Sequence, residues 1–115
     1  MKKFIKVMKA LSDLNRVKII KMLQLRKQLC VCEIRAMLNL AQPTVSNHLK
    51  ILEEAGLIIS EKEKLWVNYQ LHPAGESLYS AAMLAQLEGW LNETAEIIEI
   101  HQILPTIDRN DICKL

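Results

Sequence analysis

Long apolar runs are missing from this 115-residue chain. No stretch approaches the ~18 residues of a membrane span, and the Lys-rich start lacks the apolar core of a signal peptide. The expectation is a cytoplasmic protein with no membrane partner. Cysteine is scarce and odd in number, at three, which argues against a disulfide framework in such a compartment. Glycine and proline number three each and aromatics make up 4%, so collagen-like and low-complexity classes are excluded. Half the residues are hydrophobic and 24% are charged, an ordinary composition for one small globular domain.

A large net charge is also missing, since the total is only +2. Its distribution is uneven. Residues 1–50 hold 11 Lys and Arg against Asp13 and Glu33, whereas residues 51–115 hold 4 Lys and Arg against 11 acids. Such a split within one domain predicts one face that meets an anion and another that faces away.

Apolar periodicity predicts a mainly α chain with a two-stranded β-wing. Phe4, Val7, Met8 and Leu11 form the apolar stripe of a first helix. Asp13 is a good N-cap for a second helix, roughly residues 14–25, with Leu14, Val17, Ile20 (or Ile19) and Met22 inward. A short third segment spans residues 32–38. Pro43 is placed at the first position of a fourth helix, which runs to Ala55 and stops at Gly56. The period then turns toward strand. Leu65, Val67, Tyr69 and Leu71 are expected on one face, and Glu61-Lys62-Glu63-Lys64 at the hairpin tip. Residues 74–104 read as one long helix with a stripe of Leu84, Leu87, Leu91, Ala95 and Ile98, ended by Pro105. That order is a winged helix-turn-helix, with residues 12–73 as its core. The first and last helices then serve dimerisation, or else the last helix folds back on its own domain. Residues 1–105 form the DNA-binding and dimerisation domain, and residues 106–115 form a polar, mobile tail.

The fourth helix carries the candidate DNA-reading face. With Val45 as inward reference, Leu49 and Leu52 fall within ~40° of it at ~100° per residue, and Asn47 lies opposite. The outer face offers Gln42, Thr44, Ser46, Asn47 and Lys50, with His48 near the boundary and no acid before Glu53. Small polar side chains permit entry into the major groove, and Asn pairs bidentately with adenine. Ser, Thr and the helix N-terminus suit phosphate. On the wing, Lys62 and Lys64 can reach phosphate, opposed by Glu61 and Glu63.

Three stretches occur in order: Leu29-Cys30-Val31-Cys32-Glu33-Ile34, then Gln42-Pro43-Thr44-Val45-Ser46-Asn47-His48-Leu49, then Trp66-Val67-Asn68-Tyr69-Gln70-Leu71. With Ala10-Leu11-Ser12-Asp13 and Leu52-Glu53-Glu54-Ala55-Gly56-Leu57-Ile58, they resemble the ArsR/SmtB family of metal-responsive bacterial repressors over roughly residues 8–72. The resemblance implies a homodimeric winged helix that binds double-stranded operator DNA and leaves it when a toxic metal or metalloid binds. The Cys-Val-Cys box is similar to that of arsenite and antimonite sensors and to that of cadmium and lead sensors. Arsenite sensors often carry a further Cys where this chain has Arg35, and cadmium sensors add cysteine from an N-terminal extension. Here the remaining thiol is Cys113. The family's zinc site on the last helix is not matched, because Glu96, Glu99 and His101 lack a second His.

Soft thiolates select soft ions, and three of them suit pyramidal As(III) or Sb(III), whereas zinc and cadmium usually want four ligands. The expected inducer is As(III) or Sb(III) on Cys30, Cys32 and Cys113, the last from either subunit, with no organic cofactor. Residues i and i+2 point ~200° apart in a helix but to one side in extended chain. Chelation by Cys30 and Cys32 therefore requires a non-helical or unwound start to the third helix. The alternatives are a Cd(II), Pb(II) or Zn(II) sensor of the same fold, or a DNA-binding regulator that senses no metal. A thiol oxidoreductase is set aside, because redox pairs have two residues between their cysteines beside a βαβ unit.

Overall fold

The computed structural model describes residues 1–113. Four helices open the chain: α1 (Lys2–Ala10), α2 (Leu14–Leu25), α3 (Val31–Leu38) and α4 (Gln42–Glu54). Their boundaries have local causes. The Asp13 carboxylate accepts from the amides of Asn15 at 2.8 Å and Arg16 at 3.2 Å, satisfying donors at the start of α2. Asn39 ends α3 in the left-handed region, at φ 55°. Pro43 occupies the second position of α4 rather than the first, still within the turn whose amides have no helical partner. Gly56 follows α4 at φ +75°, and a Cβ there would collide with the Glu76 side chain.

The wing consists of β2 (Ile58–Glu63) and β3 (Trp66–Leu71), antiparallel, with Ile58 opposite Leu71 and Glu63 opposite Trp66. Its turn is Lys64-Leu65, with Lys64 at φ 57°, so Glu61, Lys62 and Glu63 belong to β2 and not to the tip. A third strand, β1 (Leu29–Cys30), escaped the sequence reading. It lies on the other side of β3, with Cys30 opposite Asn68.

The core gathers Val7 and Ala10 of α1, Ile19, Ile20 and Met22 of α2, Ile34 of α3, and Val45, Leu49 and Leu52 of α4. Leu14 is 58% exposed, against expectation, because it opens α2 at the domain edge. The strand pattern is also corrected. Leu65 and Val67 are exposed, whereas Asn68 on the opposite face is buried. The outer half of the hairpin projects from the body, and its Asn68 face is covered by a terminal segment described below.

The expected long helix is in fact two, α5 (Leu78–Gly89) and α6 (Ala95–Ile103). Between them Asn92 Nδ2 donates to the Glu88 carbonyl at 2.9 Å, and Thr94 Oγ1 donates to the Leu91 carbonyl at 2.7 Å. Side chains that bond nearby backbone compete with helix, and Gly89 is a poor helix former. Leu91 consequently sits in the turn at φ 70°. The break lets α6 fold back on α2, burying Ile97 and Ile100, while α5 packs on α1, with Phe4 and Tyr79 edge to face at 5.4 Å. No helix among the described residues is long and apolar enough to cross a membrane.

Lys21 is buried on α2, and its Nζ donates to the carbonyls of Leu87 and, at 3.0 Å, Trp90. It thereby closes the C-terminus of α5, where carbonyls lack helical donors. Lys21→Met keeps the apolar stem and removes the donor. We expect it to lower the unfolding free energy in urea titrations by about 1–3 kcal/mol. Burial holds the Lys21 ammonium below its ordinary pKa of 10.5, with Glu88 and Glu93 opposing. The folded state therefore holds this proton less tightly than the unfolded chain. The resulting penalty is complete below the folded pKa and gone above 10.5. The wild-type advantage over the variant should accordingly widen as the pH is raised from 7 toward 10.5.

Candidate metal centre and nucleic-acid interface

The three cysteines converge. Cys30 ends β1 in extended conformation, at φ −92° and ψ 169°, and serves as N-cap residue of α3, while Cys32 lies in the first turn of that helix. Their Sγ atoms are 3.5 Å apart. Unwinding of α3 is not needed, because the strand-to-helix junction lets residues i and i+2 share a side. Cys113 arrives from a segment expected to be mobile. Leu104–Thr106 form a 3-10 turn with Leu104 buried, and α7 (Arg109–Ile112) follows, capped by Asp108, which accepts from the Asn110 amide at 2.9 Å. Cys113 Sγ lies 3.7 Å from Cys30 Sγ and in bonding contact with Cys32 Sγ. The last two residues of the expected tail, 114 and 115, lie outside the described residues.

Cys30, Cys32 and Cys113 thus have all three sulfurs within 4.8 Å of one another, all from one chain. The structure joins Cys32 and Cys113 as a disulfide across 81 residues, with Cα atoms 5.8 Å apart, and Cys30 remains a free thiol. This is a single bond and not the disulfide framework that the odd count argued against, and it depends on the return of the chain to α3. The spacing lies within the ordinary range for a disulfide.

Glu33 organises the surroundings. Its Oε1 accepts from the Cys30 amide at 2.9 Å and from Arg109 Nη2 at 3.0 Å, and its Oε2 accepts from Arg26 Nη1 at 3.0 Å. Arg109 Nη2 also donates to Asn68 Oδ1 at 2.8 Å, and its guanidinium lies 4.9 Å from the Trp66 ring centroid. Burial pushes the Cys30 thiol above its ordinary pKa and the Glu33 carboxylate adds to this, while the Glu33 amide and the Arg109 guanidinium pull the other way. Neither arginine nor Glu33 was singled out from sequence. The available clue was Glu33 three residues after Cys30, the spacing of a reciprocal helix cap. The cysteines border an open cavity of about 380 Å³ shared with Arg35, Gln42 and Trp66. Gln42 is the first residue of α4.

On α4, Gln42, Thr44, Ser46, Asn47 and Lys50 are exposed on one side, as expected, and Val45, Leu49 and Leu52 are buried. His48 is a correction, because it is 8% exposed and turned inward. Arg16 Nη1 lies 3.1 Å from His48 Nδ1, and since a guanidinium has only donors, Nδ1 accepts. Arg16 also donates through Nε to the Ala10 carbonyl at 2.7 Å and through Nη2 to the Lys9 carbonyl at 3.3 Å. It therefore ties the end of α1 to α4 from its place on α2, a role its solvent-side position in the sequence pattern did not suggest. Lys62 and Lys64 are exposed on the wing, beside the exposed Glu61 and Glu63. His101 is exposed on α6.

Comparison with known proteins agrees with this architecture. Residues 13–60 match the model of a family described as bacterial regulatory protein, arsR family. The chain is 31% identical over 91 residues to the arsenic resistance transcriptional regulator ArsR2 of Pseudomonas putida, covering 79% of this chain and 69% of that one. It is 42% identical over 66 residues to a cadmium resistance transcriptional regulatory protein CadC homolog of Staphylococcus aureus, covering 57% and 54% respectively. Matches with two other arsenic-resistance regulators span only 52% and 59% of those chains. Among solved structures, HlyU from Vibrio cholerae superposes with a TM-score of 0.66 at 32% identity, over 80% of this chain and 95% of that one. The matched relatives named here are regulators and not enzymes.

Oxidation should distinguish the thiols. Diamide treatment of the folded chain is expected to remove two hydrogens and yield a Cys32–Cys113 crosslink by peptide mapping. Cys30→Ser should retain that crosslink, and Cys113→Ser should lose it.

Proposed function

Because the chain belongs to the ArsR family of bacterial regulatory proteins, we propose that it is a transcriptional repressor released from DNA by As(III) or Sb(III). The observation that carries this reading is the convergence of three cysteine sulfurs in one chain, on a cavity they share with the first residue of α4. The reduced trithiol is the binding form. Arsenous acid exchanges its three hydroxides for three thiolates, releasing three waters as each thiol gives up its proton. Three sulfur donors complete a pyramidal arsenic or antimony centre, whereas a structural zinc centre wants a fourth ligand. A cadmium-responsive reading is kept as the second, because a cadmium resistance regulator is among the relatives.

The DNA partner is read by α4, the second helix of the helix-turn-helix. Asn47 and its exposed neighbours face the major groove, and the lysines of α1, Lys18 and Lys50 supply salt-dependent phosphate attraction. A homodimer supplies two such helices for a two-fold operator. Its interface is formed by the paired outer surfaces of α1 and α5, where Phe4, Ile5, Leu78 and Tyr79 are exposed. Metalloid binding fixes the α3 start and α7 together beside Gln42. Release of DNA requires only that the free form bind the metalloid better than the operator-bound form by about 1–3 kcal/mol.

Arsenite titrated onto the protein bound to a DNA site selected from random sequence should dissociate the wild type and leave a Cys30→Ser/Cys32→Ser variant bound. Equal survival of both complexes would defeat metalloid sensing, and release by Cd(II) alone would favour the second reading. Asn47→Ala should weaken site binding by roughly 1–3 kcal/mol in a gel-shift titration, with no change in arsenite binding.

A further inference from the structure

We infer that the Glu33–Arg109 ion pair is a positioning device that makes Cys113 a member of the thiol site, with Arg109 as a positioning residue. The inference rests on the proposed three-thiol site, but its first readout is independent of any metalloid. Cys113 follows a helix of only four residues, Arg109–Ile112. So short a helix has no stability of its own in water, so tertiary contacts must set its place. Besides the Cys32–Cys113 bond, the side-chain hydrogen bonds that tie this helix to the rest of the described chain are those of Arg109. The amide of Cys113 donates to the Arg109 carbonyl at 2.8 Å, so the two residues share one turn. The side chain of Arg109 reaches α3 through Glu33 and β3 through Asn68 and Trp66.

A single carboxylate oxygen does two things here. Glu33 Oε1 accepts from the backbone of Cys30 and from Arg109. The same atom therefore fixes the segment bearing the first thiol and the segment bearing the third. Asn68 closes the arrangement, because it lies opposite Cys30 in the sheet and accepts from Arg109. Arg26 holds the other oxygen of Glu33 and, through Nη2, donates to the Leu104 carbonyl at 2.8 Å, fixing where the chain turns toward α7. A planar guanidinium serves two acceptors and stacks on a ring together, and a lysine ammonium does this poorly.

The test compares wild type with Arg109→Ala, Arg109→Lys, Cys113→Ser and the Arg109→Ala/Cys113→Ser pair, each checked for a cooperative melt. The first readout is the equilibrium of the Cys32–Cys113 disulfide against glutathione. There two glutathione thiols reduce the protein disulfide, giving two protein thiols and one oxidised glutathione. Arg109→Ala should lower the effective concentration of Cys113 about tenfold, with Arg109→Lys between it and wild type. An Arg109→Ala equilibrium equal to wild type overturns the inference, whether or not arsenite binds. The second readout is arsenite affinity with the number of thiols shielded from alkylation. Arg109→Ala should shield two thiols rather than three and bind roughly 10–100-fold more weakly. In the Cys113→Ser background the same substitution should change nothing, and an equal loss there would mark a general structural role and overturn the inference. Wild type that shields no thiol would defeat the metalloid reading alone.

Discussion

A carboxylate withdrawn from water at the strand-to-helix junction sets the terms for the surrounding structure. Glu33 is 3% exposed, and an anion so placed is tolerated only if its oxygens are bonded and its charge is met. It receives the Cys30 amide and two guanidiniums, Arg26 and Arg109, drawn from the end of α2 and from α7. Each partner carries a further obligation. Arg26 binds the Leu104 carbonyl, and Arg109 binds Asn68 and covers Trp66. Loss of the carboxylate would leave two part-buried cations without their shared counter-charge. Segments that are distant in sequence, around residues 26, 33, 68, 104 and 109, therefore have one electrostatic reason to meet.

The thiol geometry follows from that junction. A regular helix would aim Cys30 and Cys32 apart, and a continuous strand would leave Cys32 unconnected to the helix-turn-helix. The chain changes from extended to helical between them, so the sulfurs meet while Cys32 belongs to the helix that precedes α4. The cap interaction of Glu33 with the Cys30 amide holds that change in place. Under the proposed function, rigidity at this point serves coupling, because a ligand bound to a frayed helix end would be decoupled from α4. A ligand on a capped end acts on α3 as a unit, and α3 packs on α4.

Much of the helical first half, to Gly56, was legible in the sequence, because local rules govern there. Asp13, Asn39, Pro43 and Gly56 mark boundaries by capping and turn chemistry, and Val45, Leu49 and Leu52 mark an inward face by period. The grouping of Cys30 and Cys32 with Cys113 was also expected from donor chemistry. Most of what failed depended on distant segments, and the helix break has local causes as well. The helix read across residues 74–104 is broken because side chains of Asn92 and Thr94 bond nearby carbonyls and Lys21 reaches over from α2 to take two more. Two-residue β1 is defined only by its partner β3. Asn68 reads as a solvent-face residue until α7 lies over it. His48 reads as a boundary residue until Arg16, 32 positions earlier, is seen to claim its ring nitrogen.

Those tertiary demands also revise the meaning of the charge split. Of the 11 cations in residues 1–50, Arg16, Lys21 and Arg26 are engaged with carbonyls, a histidine or a carboxylate inside the fold. They hold α4, the break after α5 and the cysteine junction, and contribute less to the outer field than a count suggests. The field that meets an anion therefore rests on the exposed lysines of α1, with Lys18, Lys27, Arg35 and Lys50. In the acidic half, Arg109 is likewise turned to Glu33. The wing keeps Lys62 and Lys64 outward, yet Glu61 and Glu63 stand beside them within the screening distance of physiological salt, about 8 Å. Attraction to a polyanion is thus concentrated on the helical face, and the wing adds shape to that surface more than charge.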